Sequence, residues 1–309
     1  MNRVSTAYAF KSGAADFLRA QGKQVEANQQ ISSGKRATDL QGFGRQSETL
    51  IAAKTVQARA AGFVDMHKLL NGRLEAQDLA IERVADAADQ SRLLVLSAVS
   101  SGRAESLVKT LDSLFGQAVD ALNWKHEGRH LFAGSQVDQE PVAVRTMAEL
   151  AATPATGDAF TNDTIRTESR LNESTSLTTG FLADEVGTQL FEVLKSIQAY
   201  HEGPNGPLTG ELTAAQSTFL EARLTEFGTA HERLLDRSAE NGLLMQRVGD
   251  ARTAQSKRVT SLSIFIAETS EIDVAEAYSR LQQAELAVSA SAAALKSLKE
   301  SSLLYLMGA

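Results

Sequence analysis

The chain has 309 residues, of which 31 are basic and 38 acidic, giving a formal net charge of −7, with four prolines and no cysteine. These numbers exclude a disulfide framework and a thiolate metal site, and an acidic chain without a long basic run is no nucleic-acid binder. The mostly apolar stretch 93–99, which contains Ser97 and Ala98, is far short of the ~18 residues that span a membrane.

All four prolines fall between Pro141 and Pro207, so both flanks can form long helices, and 47 alanines favour them. The first flank runs to about Glu127, with breaks near Gly34–Gly44 and Gly102. Before Gly34 the large apolar positions are sparse: Val4, Phe10, Phe17, Leu18, Val25 and Ile31. After Gly44, Leu74, Ile81, Ala88 and Val95 recur by sevens, and Leu107, Leu111, Leu114, Ala118 and Ala121 follow in steps of four and three. Both patterns describe the apolar seam of a coiled coil or helical hairpin.

From Leu131 to Gly180 the sequence turns to Thr, Ser, Asn and Asp, and no helical stripe persists. Alternation at 142–146 and at 164–167 predicts short strands, which makes this segment a small, partly β insertion. Helix resumes near Ala183, stops at the Gly/Pro-rich residues 201–207, and returns over 211–267. A last helix, 271–306, carries Val274, Leu281, Val288 and Leu295 by sevens, with Ala277, Ala284, Ser291 and Leu298 beside them. Alternating large and small seam residues let two helices approach closely.

The fold class expected is therefore mostly α: an elongated antiparallel helical bundle or coiled coil with paired terminal helices. Four segments follow: an N-terminal arm, 1–44; a rod core, 45–130 and 182–267; an outer module, 131–181; and a C-terminal arm, 268–309. The last arm is apolar along one side, and the first has few large side chains to cover it. Leaving such a stripe wet forfeits several kcal/mol at ~25 cal/mol per Å², so the arms are either disordered in the free monomer or buried by other copies of the chain, unless the two simply complete an ordinary monomeric bundle.

Five short stretches carry a resemblance: Met-Asn-Arg-Val-Ser-Thr at 1–6, Gln-Ile-Ser-Ser-Gly-Lys-Arg at 30–36, Gly-Arg-His-Leu-Phe-Ala-Gly-Ser at 128–135, Glu-Ile-Asp-Val-Ala-Glu-Ala at 271–277 and Ser-Leu-Leu-Tyr-Leu at 302–306. Together they resemble the flagellin superfamily, and within it the hook–filament junction proteins, the third of the hook-associated proteins. His130 departs from that pattern, standing where such proteins carry an aromatic residue. The resemblance implies a structural subunit without cofactor, joining hook to filament by self-assembly, with flagellin, the filament subunit, as the alternative. It further implies other hook-associated proteins and flagellin as partners, and a cytosolic export chaperone on the C-terminal helix. Composition alone suggests a cytosolic protein; the resemblance instead implies export through the flagellar type III apparatus to the extracellular flagellum. That route suits an unfolded chain with neither cysteine nor a recognisable secretory signal. The residues expected to pack between subunits are Val4, Phe10, Phe17 and Leu18 on one arm. On the other they are Val274, Leu281, Val288, Leu295, Leu298, Leu303, Leu304, Tyr305 and Leu306.

One enzymatic pattern competes. His126-Glu-Gly-Arg-His130 matches H-E-x-x-H, in which two histidines one helical turn apart bind zinc and the glutamate, here Glu127, is the general base. Gly128 sits inside it, and the segment coincides with the 128–135 motif, so packing explains its position without chemistry. A zinc peptidase displayed on a filament is the least favoured reading, and no catalytic residues are assigned.

Overall fold

The computed structural model describes residues 2–307, with side chains from 8 to 300. The chain is mostly α. Its helices are α1 (Asn2–Ser33), α2 (Gln46–Ser101), α3 (Leu107–Leu122), α4 (Met147–Ala152), α5 (Ala183–Glu202), α6 (Ala214–Ser270) and α7 (Val274–Met307). Two antiparallel hairpins add β1 (Lys125–His126) with β2 (Arg129–His130), and β3 (Glu168–Arg170) with β4 (Ser176–Thr178). Left-handed glycines sit at the breaks, Gly34 at the end of α1, Gly44 before α2 and Gly102 after it, where a β-carbon would be strained. Among the described residues no helix is both long and apolar enough to cross a membrane.

The chain divides into two compact units, residues 1–61 with 257–309 and residues 62–256. The four segments read from the sequence are cut at other places than these two units.

The 62–256 unit holds the core. Along α2 the inward positions His67, Leu70, Leu74, Gln77, Ile81, Val84, Ala88, Ser91, Val95 and Ala98 follow one another in steps of three and four, and every one is buried. That spacing keeps one stripe facing its neighbours over nearly nine turns. Helix α6 runs antiparallel to it: the Gln77 amide donates to Asn241 Oδ1 (3.0 Å), and the His231 ring meets the Ala85 carbonyl at 3.1 Å. Phe115 of α3 packs edge-on against Phe191 of α5 at 4.8 Å between ring centres, and Phe160 stacks on the same ring at 5.1 Å.

Residues 131–181 share this core instead of forming their own. Leu131, Phe132, Val142, Val144, Met147 and Leu150 belong to the same buried cluster as Phe115 and Phe191. The strands expected at 142–146 and 164–167 are not there. Val142 and Val144 do alternate into the core, but the only backbone pairing is a single bridge from Val142 to Phe160, so the alternation reports burial without a ladder. The true strands, β3 and β4, lie just beyond the second stretch and are polar. Helix α4 was not anticipated; its sign is Thr146-x-x-Glu149, with Thr146 Oγ1 accepting from the Glu149 N–H at 3.2 Å.

Candidate assembly interface

In the other unit, α1 and α7 pair along their length. The α1 face that meets α7 is built from small residues. Ala20 and Ala27 are buried, and Gly13 lies under α7 so closely that a β-carbon there would stand 3.2 Å from Leu295 Cδ2 and 3.8 Å from Leu298 Cδ1. Opposite them Ala277 and Ala284 are buried, while Leu281, Val288, Leu295 and Leu298 are half-buried. Large residues on α7 thus settle over small ones on α1, as close helix approach requires.

A clasp fixes the register of this pair. Gly34 ends α1 in the left-handed conformation, and the next residues turn back against the start of α7. The Arg36 N–H donates to the Ser270 carbonyl (2.8 Å), the Ile272 N–H donates to the Gly34 carbonyl (3.2 Å), and Lys35 bridges Glu271. The Gln30 side chain closes the turn by donating to the Arg36 carbonyl at 3.0 Å. Asp273 then caps α7, its carboxylate accepting from the Ala275 and Glu276 N–H groups at 2.8 and 3.2 Å. The 30–36 and 271–277 motifs, more than 230 residues apart in the chain, are therefore the two halves of one structure.

What the pair does not do is bury its large apolar side chains. Among the described residues of this unit, Leu50 alone of the large ones is buried; the other buried apolar positions are Ala20, Ala27, Ala53, Ala60, Ala277 and Ala284. Tyr8 (76%), Leu18 (65%) and Leu286 (71%) are largely exposed, and Phe10, Val25, Val274 and Tyr278 are about half exposed.

The residues expected to pack between subunits fall into three sets. Phe17, Leu281, Val288, Leu295 and Leu298 are half-buried on the α1–α7 pair, and Phe10, Leu18 and Val274 are exposed on it. Val4, Leu303, Leu304, Tyr305 and Leu306 lie outside the residues whose side chains are described.

The 128–135 motif has its own physical logic. Lys125 pairs with His130 and His126 with Arg129, so Glu127 and Gly128 form a two-residue turn, both with positive φ (51° and 80°). Leu131, Phe132 and Ala133 then enter the core. Gly134, with φ of 69°, leaves no room for a β-carbon, which would fall on the Asp163 carboxylate. That carboxylate accepts from the Ser135 hydroxyl, the Ser135 N–H (3.1 Å) and the Ile165 N–H (2.9 Å). The Ser135 hydroxyl, followed by the two N–H groups, holds its carboxyl below the usual carboxylate range.

This geometry is a hairpin, not the helical turn that H-E-x-x-H requires. On adjacent strand positions the cross-strand pairs Lys125–His130 and His126–Arg129 point to opposite faces, so the two histidines cannot share a ligand. His130 is buried, with Nδ1 against the Asn123 carbonyl at 2.7 Å. Among the described residues no cluster of three His, Cys, Asp or Glu side chains could hold a metal.

The fold, with its paired terminal helices, is shared with solved structures. Two solved structures carry the comparison. A protein assigned to the flagellar hook-associated class from Vibrio parahaemolyticus matches with a TM-score of 0.59 and 14% identity, over 73% of this chain and 97% of that one. FlgL of Bacillus cereus matches with a TM-score of 0.52 and 15% identity, over 70% and 98% respectively. No family model matches the sequence, and no curated protein matches it.

Proposed function

We propose that this chain is a structural subunit of the bacterial flagellum that joins hook to filament by self-assembly through α1 and α7. The observation that carries the reading is the exposed apolar surface of the paired terminal helices, in contrast to the other unit, whose large apolar side chains form one buried cluster. Each large apolar side chain that neighbouring copies cover adds about 1.5–3 kcal/mol, and a polymer recovers this at every subunit. The shared fold with hook-associated proteins gives the surface its setting.

In this reading the partners are further copies of the chain, other hook-associated proteins and flagellin, and the site of action is the extracellular flagellum. Before export through the flagellar type III apparatus, a cytosolic chaperone covers the exposed stripe of α7 as an amphipathic helix in a groove. Of the residues expected to pack between subunits, the exposed Phe10, Leu18 and Val274 are the ones that meet other copies first in this reading, together with the exposed Tyr8 and Leu286, and the role is structural.

Deleting the gene tests the proposal. The expected result is hooks without attached filaments and filament protein shed into the medium. Hooks that still carry filaments would overturn it. Bare hooks with no shed filament protein would mean that the chain is itself the filament subunit.

A further inference from the structure

Asn71, Asn205 and Asn241 are each followed directly by glycine. The pairing is chemically distinctive, because glycine has no β-carbon to keep its backbone nitrogen away from the asparagine side chain in front of it. The three stand in different settings. Asn71–Gly72 lies within α2 and Asn241–Gly242 within α6, where the helix directs each N–H to the carbonyl four residues earlier. Their side chains are held as well: Asn71 donates to Glu75, and the wholly buried Asn241 donates to the Leu74 carbonyl at 2.9 Å. Asn205 is exposed on the connection between α5 and α6, and no hydrogen bond holds its side chain among the described residues.

What is held at Asn205 is the backbone. The peptide plane that joins it to Gly206 is fixed along both edges. The Gly206 N–H donates to the Gly203 carbonyl at 3.0 Å, closing a turn with Pro204 and Asn205 at its centre, and the Asn205 carbonyl accepts from Gln216 Nε2 at 3.0 Å. Gln216 is buried, and the same nitrogen reaches the Pro207 carbonyl at 3.3 Å. Its oxygen serves α6. Gln216 Oε1 accepts from the Thr213 N–H (3.0 Å) while Thr213 Oγ1 accepts from the Gln216 N–H (3.2 Å), a capping box. Glutamate completes such a box equally well; only glutamine also donates to the loop.

We propose that Asn205 is a self-modifying position, the one Asn-Gly pair that loses its side-chain amide in the folded chain, and that Gln216 sets the rate by holding the 205–206 peptide. The only co-reactant is water. The Gly206 nitrogen gives up its proton to solvent and attacks Asn205 Cγ. The new N–Cγ bond closes a succinimide ring as the Cγ–Nδ2 bond breaks, and Nδ2 takes a proton from solvent and departs as ammonia. Water then opens the ring: attack at Cγ leaves aspartate, and attack at the main-chain carbonyl leaves isoaspartate, with the backbone rerouted through the side chain. No electrons are exchanged; amide and water become carboxylate and ammonium. For the nitrogen to face Cγ the peptide plane must turn, and because its N–H and C=O turn together, both bonds that fix it must break. The product alters the connection. Gly206 lies against the Tyr200 and His201 carbonyls at the end of α5, so a carboxylate beside it meets the negative end of that helix.

Incubating the dilute full chain in warm, mildly alkaline buffer, and following each Asn-Gly peptide by mass spectrometry, tests this. Asn205 is expected to gain the mass that separates an acid from an amide and to yield isoaspartate, while Asn71 and Asn241 keep their amides. Gln216→Glu keeps the capping box and removes the donor to the loop. Loss at Asn205 is then expected to run about two- to tenfold faster, the worth of one ordinary hydrogen bond. In guanidinium the three pairs are expected to react alike, and faster than Asn205 does in the native chain. Loss at Asn205 no faster than at Asn71 or Asn241 in the native chain overturns the proposal. So does an unchanged or slower loss in Gln216→Glu or, should that variant not fold, a native rate at Asn205 equal to that in guanidinium.

Discussion

Glu127 is the described residue other than glycine whose φ is positive, a conformation that costs an L-residue roughly 1–2 kcal/mol and Asn or Gly much less. Its place in the turn requires that conformation, because a two-residue connection between right-twisted strands closes best with both residues left-handed. Glu127→Asn is therefore expected to stabilise the protein by roughly 0.5–1 kcal/mol, read as a higher midpoint in thermal or urea unfolding, with assembly unchanged. The zinc reading makes the opposite claim, that Glu127 is the base and its loss abolishes an activity. A stabilised, fully assembling Asn variant is what the hairpin requires. Buried polar residues set a second constraint nearby. Asn241 donates to the Leu74 carbonyl at 2.9 Å and accepts from Gln77, so sliding α2 against α6 by one turn would strand these groups without partners, a penalty of about 1–3 kcal/mol each.

The long helices were legible because each repeats one pattern for many turns, and the left-handed glycines between them mark the breaks. The shorter elements were not, for three different reasons. In 126–130 a spacing of four is compatible with one helical turn or with a tight hairpin, and only the pairing of Lys125 with His130 decides between them. In β3 and β4 the sequence is Glu-Ser-Arg and Ser-Leu-Thr, with too little apolar alternation to read, since Arg73 and Gln77 of a distant helix hold the hairpin in place. The clasp of 34–36 on 270–272 is a backbone pairing, visible beforehand only as two separate motifs. His67 and Gln77 did leave a trace, as polar residues in the otherwise apolar three-four seam of α2. The α7 heptads translate directly into packing, and Gly13 tests them. Alanine and leucine have nearly equal helix propensity, each up to about 1 kcal/mol better than glycine, so the two substitutions differ mainly in bulk. Gly13→Ala asks Leu295 to give by a few tenths of an ångström and is expected to be neutral or mildly stabilising. Gly13→Leu overpacks the seam and is expected to fall about 1–3 kcal/mol below the alanine variant, measured as lost hydrogen-exchange protection in both α1 and α7. Equal protection in the two variants would mean that the helices do not meet at Gly13 in solution.

The two compact units differ in what they lack. Residues 62–256 contain nearly all of the large buried side chains, from Leu70 to Val248, and they form one cluster; residues 1–61 with 257–309 contain Leu50 and a set of alanines. Folding of the first unit thus needs nothing from the second, because hydrophobic burial is the main favourable term and it is already inside. It is also an uninterrupted stretch of chain, so it can be made without a linker. Both cuts fall within α2 and α6, where fraying of a turn exposes backbone to water and removes no core residue. The 62–256 fragment is expected to be helical by circular dichroism and to unfold cooperatively with a free energy in the ordinary range of about 5–15 kcal/mol. It is also expected to sediment as a monomer at concentrations where the full chain forms higher assemblies. The complementary pieces, 1–61 and 257–309, are expected to be far less protected from exchange when mixed at low concentration, because the pair leaves most of its large apolar side chains exposed or half-buried. If the fragment assembles as the full chain does, the surface that joins subunits lies outside α1 and α7, and the exposed stripe of the terminal helices has another use. If the fragment fails to fold, the terminal helices are part of the core's stability and not a separate device for assembly.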